Sequence, residues 1–384
     1  MPVALAPLLP LANSTVIFRP GEGGYPYYRI PALLLAGRVL LAFAEGRKQR
    51  TDHGWVDIVL KRSLDGGDTW SALSVVHTES IAGRRQATVG NPTPLYDAPE
   101  AVLFLCRENA EVLMTKSLDG GLSWSVVEPL PWSRPPEWRW VATGPPAGLV
   151  TRTGRWLIPC DGYVGHERFY SATEVFSFVL YSDDRGATWQ QGPLLTGGNE
   201  CQAAQLDDGS LLLNMRSRDV RRLFSRSHDD GATWSDPSPA KPSITDGNAQ
   251  GSMVALHSGA TLLHTNAGVG RSTMYTHISY NRGATWRTAR LRDGPVGYSA
   301  LLSLAPLASC DEQAERSSGS AAAARERELG TSEPSPEDLA LAADWPNLVG
   351  ILFEDRLPET RGQNAEALVF GRLEVEQDTH TREE

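Results

Sequence analysis

The chain has 384 residues, 41% of them hydrophobic and 21% charged, a balance ordinary for a folded globular protein. Its formal net charge of −10 sits in two appendages: nine acidic and three basic residues between Asp311 and Asp344, and five acidic residues with Arg382 between Glu374 and Glu384. The near-neutral remainder lacks the basic stripe that nucleic acid requires, which excludes that partner while leaving room for a small anionic ligand held by a few local arginines.

From the N-terminus, Met1 to Ala12 is apolar and proline-rich but has no basic n-region, so it does not read as a secretory leader. A cytoplasmic location is therefore expected over a secreted or membrane-associated one. The sequon Asn13-Ser14-Thr15 would matter only in a secreted chain. No apolar stretch reaches the ~20 residues of a spanning helix, so no transmembrane segment is expected. Cys106, Cys160, Cys201 and Cys310 are widely spaced without any CxxC; reduced, buried thiols are expected, with neither a disulfide framework nor a zinc site.

The dominant pattern is a repeat of Ser-x-Asp-x-Gly-x-Thr-Trp. It runs from Ser63 to Trp70, Ser117 to Trp124 (with Ser123 for Thr), Ser182 to Trp189, Ser227 to Trp234, and Ser279 to Trp286, where Asn281 replaces the aspartate. Each early copy follows a β-branched or aromatic run such as Ile58-Val59-Leu60 or Phe178-Val179-Leu180, so each reads as strand, turn and return strand. The aspartate accepts backbone N–H groups of its own turn, the glycine supplies a positive φ, and the tryptophan packs over the turn. Asn281 is expected to weaken its copy, at a cost in stability and not in chemistry.

Repeats of this length and composition predict four-stranded blades arranged radially. Five blades carry a box; the sixth is expected to be shared by the two chain ends, with Val369 to Val375 closing against an N-terminal strand. The predicted fold is thus all-β: a six-bladed β-propeller with Asp-box hairpins, one domain spanning 1–384. Residues 311–344 break the pattern with a low-complexity run from Arg316 to Glu328 and are expected to be a solvated insert; 376–384 is an acidic tail.

A propeller hosts many functions, so function must be read from site residues. Tyr28-Arg29-Ile30-Pro31, the boxes that follow it, and the segment from Leu41 to Arg47 together resemble the sialidase (neuraminidase) family of bacterial and animal type. The resemblance runs from about Arg29 to Leu373 and is similar in length to the cellular animal sialidases. It implies an exo-acting glycoside hydrolase that releases terminal α-linked sialic acid from glycoproteins, glycolipids or oligosaccharides with retention of configuration. The implied partner is a sialylated glycan; no cofactor and no metal are implied.

Residue by residue, the resemblance assigns Arg29, Arg216 and Arg271 to the sugar's carboxylate, a task for which planar, bidentate guanidinium groups suit better than lysine. Tyr298 matches the nucleophile and Glu200 its base: a neutral phenol is not repelled by the substrate's carboxylate, but with a pKa near ~10 it needs a neighbouring base. Asp52 matches the acid/base that protonates the leaving oxygen and then activates water. Glu354 matches the glutamate that orients Arg29. Arg47 is expected at the sugar's glycerol or carboxylate end, Gln250 near the N-acyl group and Tyr163 in the pocket lining. Two other readings are open at this level. A sialic-acid lectin should have lost Asp52, Tyr298 or Glu200, and none is lost. A trans-sialidase needs an aromatic acceptor platform, for which Tyr25, Trp55 and Trp138 are the candidates.

Overall fold

The computed structural model describes residues 11–83, 85–165, 172–256, 259–304, 348–355 and 367–375. The insert 311–344, the tail 376–384 and Cys310 lie outside them. Among the described residues, hydrogen-bonded strands form six sheets and helical structure is confined to single 3-10 turns such as Glu22–Gly24 and Val269–Arg271. No helix among these residues is long and apolar enough to cross a membrane.

The first blade pairs Tyr27–Ala36, Val39–Arg47, Val56–Ser63 and Ser74–His77 in sequence order. The second runs from Val89–Asp97 to Glu128–Pro129, and the third is built on Trp138–Thr143, Trp156–Gly165 and Ala172–Ser182. The fourth and fifth start with Gly198–Gln205 and Gly251–Leu256. The sixth joins Val296–Ser303, Leu348–Asp355 and Ala367–Glu374 to the N-terminal strand Leu11–Phe18. Val369 pairs Val16 and Leu373 pairs Leu11, so the expected closing strand does join the two chain ends. Closure of this kind leaves no free first or last sheet in the ring.

The boxes fold as their chemistry dictates. In the first copy the Ser63 Oγ accepts the Gly67 N–H at 2.8 Å, Asp65 accepts the Thr69 N–H at 2.9 Å, and the Trp70 indole donates to the Gly67 carbonyl at 3.1 Å. Gly67 has φ +103°, and a Cβ there would lie 2.3 Å from the Phe370 ring, so glycine is needed both for conformation and for close approach. Asn281 keeps the same turn: its Oδ1 accepts the Thr285 N–H at 2.9 Å, and its Nδ2 donates to the Thr285 hydroxyl at 2.9 Å, where Asp65 instead accepts from Thr69. The turn that was expected to be weakened is therefore bonded like its neighbours.

The tryptophans do more than cover their own turns. Trp70 meets Phe370 of the sixth blade at 5.2 Å between ring centroids, Trp124 meets Phe43 of the first at 5.8 Å, and Trp189 meets Phe104 of the second at 5.4 Å. Trp286 meets Phe224 of the fourth at 5.4 Å. Four of the five boxes thus staple their blade to the preceding one by a ring pair, and the offset and edge-on geometries are those aromatic pairs favour. Cys106, Cys160 and Cys201 are buried free thiols, as expected.

Candidate active site

In each blade the first strand runs antiparallel to the second, so the start of one and the end of the other share a mouth of the ring. The first strands of neighbouring blades also touch one another, except between the third and fourth, where Gly198–Gln205 meets the third blade's Trp156–Gly165 and Ala172–Ser182. At that mouth several first strands carry a bulge: the pairing register slips between Arg29 and Ala32, between Gly90 and Thr93, between Gly198 and Cys201, and between Val296 and Ser299. A bulge re-aims the side chains beside it. Arg29, Glu200 and Tyr298 sit at three of these bulges, in the first, fourth and sixth blades. Non-glycine residues with positive φ gather here as well, among them Ile30 (54°), Asn91 (56°), Asn248 (57°) and Arg271 (51°), a conformation that costs free energy and persists only where the surroundings impose it.

Tyr298 lies at the focus. It is buried, and its hydroxyl donates to Glu200 Oε1 at 2.5 Å. Arg216 Nη1 bonds both the other Glu200 oxygen, at 2.7 Å, and the Tyr298 oxygen, at 3.1 Å. Arg29 and Arg271 place their guanidinium carbons 5.1 and 5.7 Å from the centre of the Tyr298 ring. The three arginines, from blades one, four and five, therefore converge on one phenol. Burial pushes the Tyr298 hydroxyl above its ordinary value and the charge of Glu200 adds to this, while the arginines act against it. The balance favours the neutral phenol at physiological pH.

Glu354, on the second strand of the sixth blade, binds four N–H groups. Oε1 accepts from the Ile30 backbone at 3.0 Å and pairs with Arg29 Nε at 3.1 Å; Oε2 accepts from Arg29 Nη2 at 3.3 Å and from the Tyr298 backbone at 3.1 Å. Burial alone would raise this carboxyl, but the Arg29 charge and the Ile30 N–H outweigh it and hold it below the ordinary range. Glu354 thus holds Arg29 through both of its oxygens, and it also grips the strand that carries Tyr298. Gly297 leaves room for this: a Cβ there would stand 1.9 Å from Glu354 Oε2.

Asp52 projects from the loop after Val39–Arg47, its side chain 66% exposed. Its Oδ1 accepts from Arg29 Nη1 at 3.1 Å and from Arg47 Nη1 at 2.7 Å. Burial at its base raises it, but the charges of Arg47 and Arg29 prevail and leave it below its ordinary value.

The supporting residues are held mainly by protein partners. Arg47, expected at the sugar's glycerol or carboxylate end, is only 2% exposed; it holds Glu45 Oε2 through Nε at 2.7 Å and fixes Asp52 from beneath. Gln250, expected beside the N-acyl group, commits its amide to the backbone: Oε1 accepts the Ser299 N–H at 3.1 Å and Nε2 donates to the Ser299 carbonyl at 3.0 Å. It steadies the Tyr298 strand. Tyr163 is buried and stacks at 5.7 Å on the half-buried Trp140, whose ring meets His53 edge-on at 6.1 Å. Of the three platform candidates, Tyr25 and Trp138 are buried, and Trp55 donates its indole N–H to Asp57 at 2.8 Å.

Sequence reasoning missed several groups. Glu45 is buried and accepts the Asn91 N–H at 2.8 Å as well as Arg47. Asp161, fully buried, accepts from Asn199 Nδ2 at 2.6 Å, and burial together with the charge of Glu200 raises it well above its ordinary value. Asn248 touches two of the three arginines. Glu45 alone had a signal, its place two residues before Arg47 on a strand, which puts both side chains on one face. Among the described residues, no group of three or more His, Cys, Asp or Glu is placed to hold a metal ion.

A family model described as a BNR repeat-like domain matches residues 37–306. Rattus norvegicus Sialidase-2 is 32% identical over 311 residues, covering 71% of this chain and 79% of that protein. Homo sapiens Sialidase-4 is 34% identical over 257 residues, 58% of this chain; the match spans about half, 52%, of the human protein's length. Among solved structures, the Hadza microbial sialidase Hz136 superposes with a TM-score of 0.72 at 20% identity, covering 94% of this chain and 68% of that one. At that identity the superposition speaks for the fold alone.

Proposed function

The chain belongs to the sialidase family, and from that premise we propose that it is an exo-sialidase, hydrolysing terminal α-linked sialic acid with retention of configuration. The observation that carries this reading is the convergence of Arg29, Arg216 and Arg271 on a buried phenol that already donates to a carboxylate at 2.5 Å. An anomeric carbon bearing a carboxylate suits such a place: the carboxylate lies against the guanidinium groups and the carbon over the Tyr298 oxygen.

In the first step the Tyr298 oxygen attacks the anomeric carbon as Glu200 takes the phenol proton, and the bond to the leaving oxygen breaks while Asp52 donates a proton to it. In the second, Asp52 removes a proton from water, the water oxygen attacks the same carbon, and the tyrosyl bond breaks with return of the proton from Glu200. Two inversions make net retention. Asp52 must be protonated for the first step, yet in the empty site Arg47 and Arg29 favour its anion. A substrate carboxylate settling on Arg29 neutralises one of those two charges, so binding itself raises the acid that the reaction needs. The burial of Tyr25 and Trp138 supports water as the acceptor and leaves Trp55, partly exposed, as the one platform candidate for a second sugar.

The test is release of a fluorogenic aglycone from a sialoside between pH 4 and 8. Tyr298→Phe should lose on the order of a thousandfold in kcat, and Asp52→Ala roughly a hundredfold or more. No turnover by the unaltered protein would favour a lectin; full activity in Tyr298→Phe would remove the nucleophile assigned here.

A further inference from the structure

Asn248 stands in the turn before the fifth blade's first strand, outside the strands that carry Glu200 and Tyr298, and it joins two of the arginines. Its side-chain Oδ1 accepts from Arg216 Nε at 2.9 Å, and its backbone carbonyl accepts from Arg271 Nη2. Its own N–H donates to Asp246 Oδ1 at 2.7 Å, which also accepts the Ala249 N–H at 3.2 Å. Behind this turn lies a fully buried ion pair: Asp246 Oδ2 is 3.3 Å from Arg222 Nε, and Arg222 Nη2 donates to the Ala249 carbonyl at 2.9 Å. The neighbouring Gly247 N–H donates to Ala267 at 2.8 Å, tying the turn to the strand that leads into Arg271. The residue is clamped from below and offers two acceptors above, with φ at 57°, a conformation asparagine tolerates better than most residues.

We propose that Asn248 is a positioning residue that sets the spacing of Arg216 and Arg271, so that the two guanidinium groups meet a carboxylate as one preformed clamp. The inference rests on the reading that these arginines grip the substrate's carboxylate. Its chemistry is specific. Both acceptors are neutral, so each orients an arginine by hydrogen bonding without cancelling its charge. An aspartate in the same place would orient Arg216 equally well but would also neutralise it and repel an incoming carboxylate. Arginines held this way lose little freedom on binding.

Three substitutions separate this from a merely structural role. Asn248→Gly keeps the left-handed backbone and the carbonyl on Arg271 while removing the acceptor for Arg216 Nε. Asn248→Asp keeps both acceptors but adds charge. Asn248→Ala removes the side chain and strains the backbone. The measurements are Kd for free sialic acid by calorimetric titration, KM and kcat for a fluorogenic sialoside, and Tm. The glycine variant should weaken sialic acid about tenfold and raise KM by a similar factor with kcat changed less. The aspartate variant should keep the wild-type Tm within a few degrees yet weaken the anion more than glycine does. If aspartate restores wild-type affinity, or if glycine binds and turns over like the wild type, the proposal is overturned while the sialidase reading stands. If affinity falls only in step with Tm across all three, the residue is structural and the proposal is likewise overturned. If the unaltered protein binds no sialic acid, the underlying reading fails and takes the proposal with it.

Discussion

Glu354→Gln is the most direct probe of how the site is held. The carboxylate receives four N–H groups, two on each oxygen: Ile30 N and Arg29 Nε on one, Tyr298 N and Arg29 Nη2 on the other, at 3.0 to 3.3 Å. An amide can present an acceptor to only one of these pairs and turns a donor toward the other, whichever way it lies. Two buried donors are then unpaired at roughly 1–3 kcal/mol each. Arg29 is part-exposed and keeps Asp52 at 3.1 Å, which offsets some of the loss, so about 3 kcal/mol is expected. At about 2 °C per kcal/mol for a chain of this size, Tm should fall by about 6 °C at neutral pH. Because Glu354 is held below its ordinary value of 4.5 in the folded protein, its contribution is present above that value and is lost as pH falls through the lower folded one. Glutamine does not titrate. The Tm gap between wild type and variant should therefore be widest near pH 7 and close on acidification below about 4.5. In kinetics, KM should rise because Arg29 loses its brace, and kcat should fall because the Tyr298 backbone loses its anchor. An unchanged Tm together with an unchanged KM, or a gap independent of pH, would refute the account of Glu354 as the brace of both residues.

Two further predictions follow from groups no motif exposed. Asp161 is fully buried, its Oδ1 lacks a hydrogen-bond partner of good geometry, and burial with the Glu200 charge raises it. A raised carboxyl stabilises the fold below its unfolded value and loses that stabilisation as pH climbs towards its folded one, so Asp161→Asn should raise Tm at pH 7–8, by an amount worth about 1–3 kcal/mol, and change it little near pH 3. Equal destabilisation at every pH in a melting series would contradict this. Gly297→Ala places a Cβ 1.9 Å from Glu354 Oε2 and 2.9 Å from its carboxyl carbon, so the glutamate must leave its four donors. A loss of 1–3 kcal/mol or more and a fall in kcat/KM like that of Glu354→Gln are expected, and the two substitutions combined should cost less than their sum. Strict additivity would show that Gly297 acts elsewhere.

What could be read from the chain and what could not divides by sequence distance. The boxes were legible because every bond that makes them, Ser63 to Gly67, Asp65 to Thr69, Trp70 to Gly67, lies within eight residues, so local chemistry suffices. Ring closure by Val369 to Val375 was legible because the chain is long enough at the repeat spacing for a sixth blade and only its two ends lack a box to build it. The principal candidate residues were picked out through motifs, yet no local rule says that Arg29 meets the Glu354 carboxylate from 325 positions away.

The bulges at Arg29, Glu200 and Tyr298, the burial of Arg47 and the bridging turn at Asn248 have no periodic signature, because each depends on what a neighbouring blade places opposite it. The tryptophan of each box announces a turn in sequence; that it locks onto the preceding blade is decided only when the ring closes. The order of residues along the chain therefore determined the blades, through bonds short enough to be local, while the ring alone determined the site, because charges drawn from four blades acquire their spacing, their burial and their proton affinities only when those blades are packed together.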